Sequence, residues 1–515
     1  MNAPDPSLHA RSASAVEEIL SLTGVLLRAP ATWTDSPRLA PMPWGAGRIA
    51  APPPEPPRGL RGPWPQAPVI DPGFYAPVLN VPAEDRLDHA RFIVARYLRQ
   101  LVQEVPAAAA RALRGPRLVD VDDRELAALL TATSLGQFVQ TADERPPHAD
   151  FHPVMARAPG PWATLDFSVI ALGELLPGLH AAPVVVLVRR AGEAWAVAAV
   201  RVHERVVTPD EGDAWRLARW YALQGAQLRL VTAAHPRLHF PADVINAVTR
   251  SALPRRHPLR RLIEPHTRFT LGLHESVIHH RRSAIHNSQR ELYNPFPYTT
   301  EGMHRMVAAG KGGVEGNTAW PAWRFGDLFT GDHVPYGRFR RAWLDAWTRF
   351  ADEALSGVSA GDPDVRSWAD HIAAWLPGFP DGRRIAAEGE LARAAATYLC
   401  TVSTFHTADH HSFAAIALEK MPWRLRRAMP AAGPVEALDP DALVAPEDSF
   451  RVTLAHAMFF RPAVITSLRD VTYAFDDPRG RAAARRWELA MDALDAAWAG
   501  RGFPGSREIA SGVHY

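Results

Sequence analysis

Two pairs of histidines share one spacing. His235 and His239 stand four residues apart in HPRLH, and His406 and His410 repeat the interval in HTADH. On an α-helix, residues i and i+4 lie on one face about a turn apart, so each pair can aim two imidazoles at one point. Neutral imidazole is a common metal ligand. An apolar helical run precedes each pair, WRLARWYALQGAQLRLVTAA and ELARAAATYLCTVSTF. Two such helices can converge on one ion from opposite sides. The other reading is ordinary core histidines with satisfied hydrogen bonds, because 22 histidines in 515 residues produce chance HxxxH pairs. The stretch from His235 to His266 holds two more, His257 and His266, among arginines (RRHPLRR) that read as a solvated face.

Other chemistries fit less well. A zinc-protease motif needs Glu directly after its first His, where this chain has Pro236 and Thr407. GKGG at Gly310–Gly313 lacks the spacing and the hydroxyl residue of a phosphate-binding loop and reads as a turn. No serine-nucleophile elbow is expected. The one cysteine, Cys400, excludes an internal disulfide and reads as a buried thiol in ATYLCTVSTF. A net charge of +2 gives no global drive toward nucleic acid. MNAPDPSLHARSASAVEEIL has neither a basic n-region nor an apolar h-region, and runs such as APVVVLV are too short to cross a bilayer. The expectation is a soluble cytoplasmic protein with no transmembrane segment.

The elements that must position the histidines are mostly helical. Residues 1–78 form a Pro-rich arm (APPPEPPRGLRGPWPQAP), and residues 79–515 read as one domain. DRLDHARFIVARYLRQLVQEV places Leu87, Phe92, Ile93, Tyr97 and Leu101 near one helical face. Between about 163 and 207, ATLDFSVIAL, PVVVLVRR and AWAVAAVRVHERVV predict a small antiparallel sheet. From Asp213 onward long helical patterns dominate, including RFRRAWLDAWTRFADEAL and RGRAAARRWELAMDALDAAW. No internal repeat is evident. The fold class is mainly α with a small antiparallel β subdomain.

HPLRRLIEPHTRFT (His257–Thr270) resembles the HPxxxLLxPHxRxT signature of the lipoxygenase family. WRLARWY (Trp215–Tyr221) is similar to that family's WxxAKxxV helix, NVPAEDRL (Asn80–Leu87) to its vPxDErF segment and DPDVRSW (Asp362–Trp368) to its DxELqxW segment. Gapless counting from these motifs lands on His235 and His239, with three residues between them as in the fungal manganese branch. FHTADHHSF is similar to the HxxxN/H motif and IASGVHY to the IPNSISI ending. The likeness covers residues 80–515, the catalytic domain, with the arm in place of the N-terminal β-sandwich.

The resemblance implies a ligand set of His235, His239, His406, His410 and the main-chain carboxylate of Tyr515. Four imidazoles and a carboxylate suit iron, with manganese as the alternative. It implies a metal(III)-hydroxide that takes a hydrogen atom from a bis-allylic carbon of a polyunsaturated fatty acid. O2 then traps the radical and a hydroperoxide forms. A fatty acid or other small molecule, O2 and a peripheral membrane contact are the partners implied. Asp409 and Glu264 are the acidic groups that could hold the far nitrogen of a ligand histidine, with His411 beside the site or at the surface. The sequence also departs from the family. Val277 falls where a small residue is usual and Arg281 where an apolar clamp is usual, with His274 and Glu275 a turn earlier. These four are the candidate substrate-binding residues, and their polarity leaves a second reading open, a lipoxygenase-fold oxygenase for a more polar substrate. Ser412 and Phe413 replace the usual GQ, and Asp243 replaces a usual Glu. A third reading is a non-catalytic helical scaffold.

Overall fold

The computed structural model describes residues 65–66, 78–79, 82–113, 118–192, 194–274, 294–312, 332–359, 361–376, 379–439, 442–461 and 464–513. The Pro-rich arm lies outside them except for β1 (Pro65–Gln66) and Val78, the first residue of β2 (Val78–Leu79), and these two strands pair antiparallel. The small sheet is a five-stranded antiparallel meander of β3 (Val139–Thr141), β4 (Trp162–Asp166), β5 (Val184–Ala191), β6 (Ala194–Val202) and β7 (Arg205–Val207). It starts earlier than residue 163, because β3 pairs with β4. The two-residue turn between Ala191 and Ala194 uses Gly192 at φ 63°, backbone that a side chain disfavours. Val184, Val186 and Val188 face the main core. Leu187 and Ala199 face a second small cluster with Phe151 and Trp162. Both faces are therefore covered, and β5 reads as the apolar run VVVLV instead of a clean alternation.

The helices dominate. α1 (Ala83–Leu113) buries Ile93 and half-buries Phe92, but Leu87 is 45% exposed at its outer end. α2 (Asp213–Leu228) and α3 (Pro236–Ala252) are joined through Arg229–Ala234 into one rod. α4 (Pro335–Leu355) buries Phe339, Trp343, Trp347 and Phe350 along one side. α5 (Leu391–Leu399) and α6 (His406–Ala415) are joined through Cys400–Phe405 into a second rod. α7 (Pro478–Trp498) seals α4 with aromatic contacts, the rings of Trp347 and Trp487 standing 4.2 Å apart. Trp343, Trp347, Trp368 and Trp423 are fully buried. Burial of each such ring stabilises the fold by about 2–3 kcal/mol. Among the described residues no helix is long and apolar enough to cross a membrane.

Candidate metal centre

Each joint between the paired helices is a π-turn, and each delivers a histidine pair. The His235 N–H donates to the carbonyl of Leu230, five residues back, at 2.7 Å. The His406 N–H likewise reaches the carbonyl of Thr401. A π-turn leaves a carbonyl without its α-helical donor, and such turns cluster at functional sites. A hydroxyl bonds back to a carbonyl at the start of each turn. Thr232 bonds the Leu228 carbonyl at 2.7 Å, and Ser403 bonds the Leu399 carbonyl. The order Leu, Thr or Ser, His, His therefore recurs with offsets four, three and four in both rods, at Leu228–Thr232–His235–His239 and Leu399–Ser403–His406–His410. Pro236 needs no kink, because it takes the N1 position of α3, where the missing N–H is not required.

The four imidazoles meet. One ligand nitrogen from each of His235, His239, His406 and His410 lies within 4.8 Å of all the others. His239 Nε2 is 2.8 Å from His235 Nε2 and 3.1 Å from His406 Nε2. An imidazole nitrogen has one in-plane site, holding a proton or a lone pair. His239 Nε2 therefore cannot form linear hydrogen bonds to both neighbours. One cation can take all the lone pairs together, and metal–imidazole bonds of about 2.1 Å at right angles place two nitrogens about 3 Å apart. The donor set fits a metal.

Hydrogen bonding fixes two tautomers. The Asp409 carboxylate accepts the His235 Nδ1–H through Oδ2 at 3.2 Å, an arrangement that leaves Nε2 to present its lone pair when the ring is neutral. His410 Nδ1–H donates to the Phe460 carbonyl at 3.2 Å, with the same result. Burial, reinforced by neighbouring histidines, pushes His239 well below the usual imidazole range. Burial and His235 do the same to His410. Both are neutral donors.

The remaining expectations divide. Asp409 does hold the ring of His235, whereas Glu264 pairs with Arg260 at 3.2 Å. His411 is half-buried. Asp243 is buried and raises the phenol of Tyr398, after burial itself. Cys400 is buried, and burial pushes its thiol upward. His257 Nδ1 accepts from the Leu259 N–H and caps a short helix. His266 is fully buried with Nδ1 2.6 Å from the Ser511 carbonyl and Nε2 2.9 Å from the Tyr473 hydroxyl. A GxSxG string, Gly357 to Gly361, links two helices and not a strand to a helix, so it forms no nucleophile elbow. Glu275, Val277, Arg281 and Tyr515 lie outside the described residues, as does the side chain of His274.

Thr407, Gln137 and Tyr336 were not singled out from sequence. Gln137 Nε2 and the Tyr336 hydroxyl each stand 3.5 Å from Asp409 Oδ1. Thr407 follows His406 at the start of α6, and its hydroxyl accepts from the Ala510 N–H at 3.0 Å. Residues 509–513 are all buried. A Cβ on Gly512 would come within 2.7 Å of the His266 carbonyl oxygen, so only glycine lets the tail pass there. The terminal segment thus enters the interior beside the ligand turn of α6.

Neither a protein-family model nor a curated protein sequence matches the chain. Solved structures do. The coral 8R-lipoxygenase is 14% identical, with 78% of this chain and 67% of that one superposed at a TM-score of 0.64. A calcium-dependent 11R-lipoxygenase is 13% identical over 76% of this chain, with a TM-score of 0.61, and the match spans 65% of its length, just under two thirds. The manganese lipoxygenase of Gaeumannomyces graminis is 14% identical over 85% of this chain and 92% of its own, with a TM-score of 0.64. The architecture built here from two π-turned rods and a small meander is a lipoxygenase-like fold.

Proposed function

We propose that this protein is a non-heme metal dioxygenase that adds O2 to a polyunsaturated fatty acid and gives a hydroperoxide. The observation that carries the reading is the buried four-histidine cluster on the paired rods. An iron or manganese ion bound there supplies one-electron redox chemistry, which allows a bis-allylic C–H to give up a hydrogen atom and the carbon radical to combine with O2. The hydrogen atom is returned at the end, so the net change is addition of O2 across one C–H bond. His235 and His410 present Nε2 lone pairs because Asp409 and the Phe460 carbonyl hold their Nδ1 protons. His239 and His406 supply the other two nitrogens. Thr407 and His266 draw the terminal segment inward, and we assign the fifth donor to the Tyr515 carboxylate.

A second reading keeps the centre and changes the substrate. Glu275 and Arg281 are charged where the family's channel is apolar, and a charge facing a dry channel is costly unless paired. This favours a smaller or more polar molecule. One experiment separates the two: metal analysis of the purified protein, then oxygen uptake and conjugated-diene formation with linoleate and arachidonate. Metal with fatty-acid turnover supports the first. Metal without it supports the second. A protein that takes up neither iron nor manganese sinks both and leaves the scaffold.

A further inference from the structure

Asp409 is buried, with a side-chain exposure of 2%, and it sits between the two ligands of α6. Its carboxylate reaches across to the other rod and contacts His235 Nδ1 at 3.2 Å. Its other partners, Gln137 and Tyr336, stand at 3.5 Å and are weak neutral donors. No arginine or lysine among the described residues lies within ion-pair range of it. A buried carboxylate is costly without a countercharge. One imidazole N–H does not supply a full charge, but a cation on the opposite nitrogen of the same ring does. The corresponding position of α3 is Leu238, so this carboxylate is not part of the shared rod pattern.

We infer that Asp409 is a positioning residue that fixes the tautomer of His235, strengthens it as a donor and biases the bound ion toward its more oxidised state. The inference rests on the metal-centre reading above. A carboxylate on Nδ1–H draws the proton outward and makes Nε2 more basic. Its negative charge also stabilises the ion more as the ion's own charge rises.

The test uses the full chain loaded with iron or manganese alone. Asp409→Asn keeps the size and an acceptor oxygen but removes the charge. Expected are a roughly 10–100-fold weaker metal affinity in chelator competition, a higher midpoint potential and an altered electron-spin signature, with Asp409→Glu restoring part of each. An Asn variant that folds, binds within about threefold of the parent and keeps its potential overturns the inference while leaving the metal centre standing. A parent protein that binds no metal overturns both. Should the Asn variant fail to fold, histidine nitrogen resonances of the zinc-loaded parent decide. A protonated His235 Nδ1 with a strongly downfield proton supports the inference, and a bare Nδ1 overturns it.

Discussion

The two ligand rods are built alike and differ at two places that matter. Both run α-helix, π-turn, α-helix, and both bond a hydroxyl back to a leucine carbonyl before the first histidine. One residue past that histidine the first rod has Pro236 and the second has Thr407. Three residues past it the first has Leu238 and the second has Asp409. The shared positions place four nitrogens. The differing ones give the second rod two further tasks, anchoring the tail through Thr407 and holding a ring of the first rod through Asp409. The geometry is thus nearly symmetric while its support comes from one side.

Removing a ligand should affect both rods equally. His235→Ala and His406→Ala should each lower retained metal and oxygen uptake by more than the roughly 100-fold that loss of an outer partner costs. Mass spectrometry of the bound metal checks this, and a variant that keeps full metal breaks the four-ligand picture. Protonation comes next and tests the tail side. Burial pulls His266 from 6.5 to about 4, against a smaller opposing effect of its bond to Ser511. Burial likewise pulls His89 from 6.5 to about 4. The unfolded chain binds more protons in that window. Stability is therefore fully present above pH 6.5 and lost as pH falls toward 4, on the order of 3 kcal/mol per histidine. Denaturant titrations across the window check the slope, and His266→Gln should remove its own share and leave that of His89.

At the position after the first ligand the rods should respond differently. Thr407→Val leaves the buried Ala510 N–H without its acceptor and should cost about 1–3 kcal/mol. Pro236→Ala, at N1 of α3, should cost less than about 1 kcal/mol. Equal losses in chemical denaturation would erase the distinction drawn here. The smallest effects belong to the shared hydroxyls. Thr232→Val and Ser403→Ala should each destabilise by about 1 kcal/mol, and a marked inequality between them would show that the two π-turns are not equivalent.

The sequence made the ligand pairs legible because their spacing and apolar setting are local. The long helices were legible for the same reason. The π-turns were not, since a 3.6-residue period cannot reveal one extra residue per turn, although the repeated Leu–Thr/Ser–His–His offsets were there to be counted. β3 is three residues long and too short to show an alternation. The partner of Glu264, Arg260, stands four residues before it and could have been read as a helical ion pair. The contacts of Thr407 with Ala510 and of His266 with Ser511 join distant parts of the chain, and no local pattern announces them.

The buried tail has a consequence for how the protein is made. Ala510 leaves the ribosome 103 residues after Thr407, a lag of roughly 5–20 s at typical synthesis rates. Ser511 follows His266 by 245 residues, or about 12–50 s. All four histidines are thus translated before the segment that packs against Thr407 and His266. On the proposed reading, an ion would have this interval to reach the histidines without any later opening of the finished core.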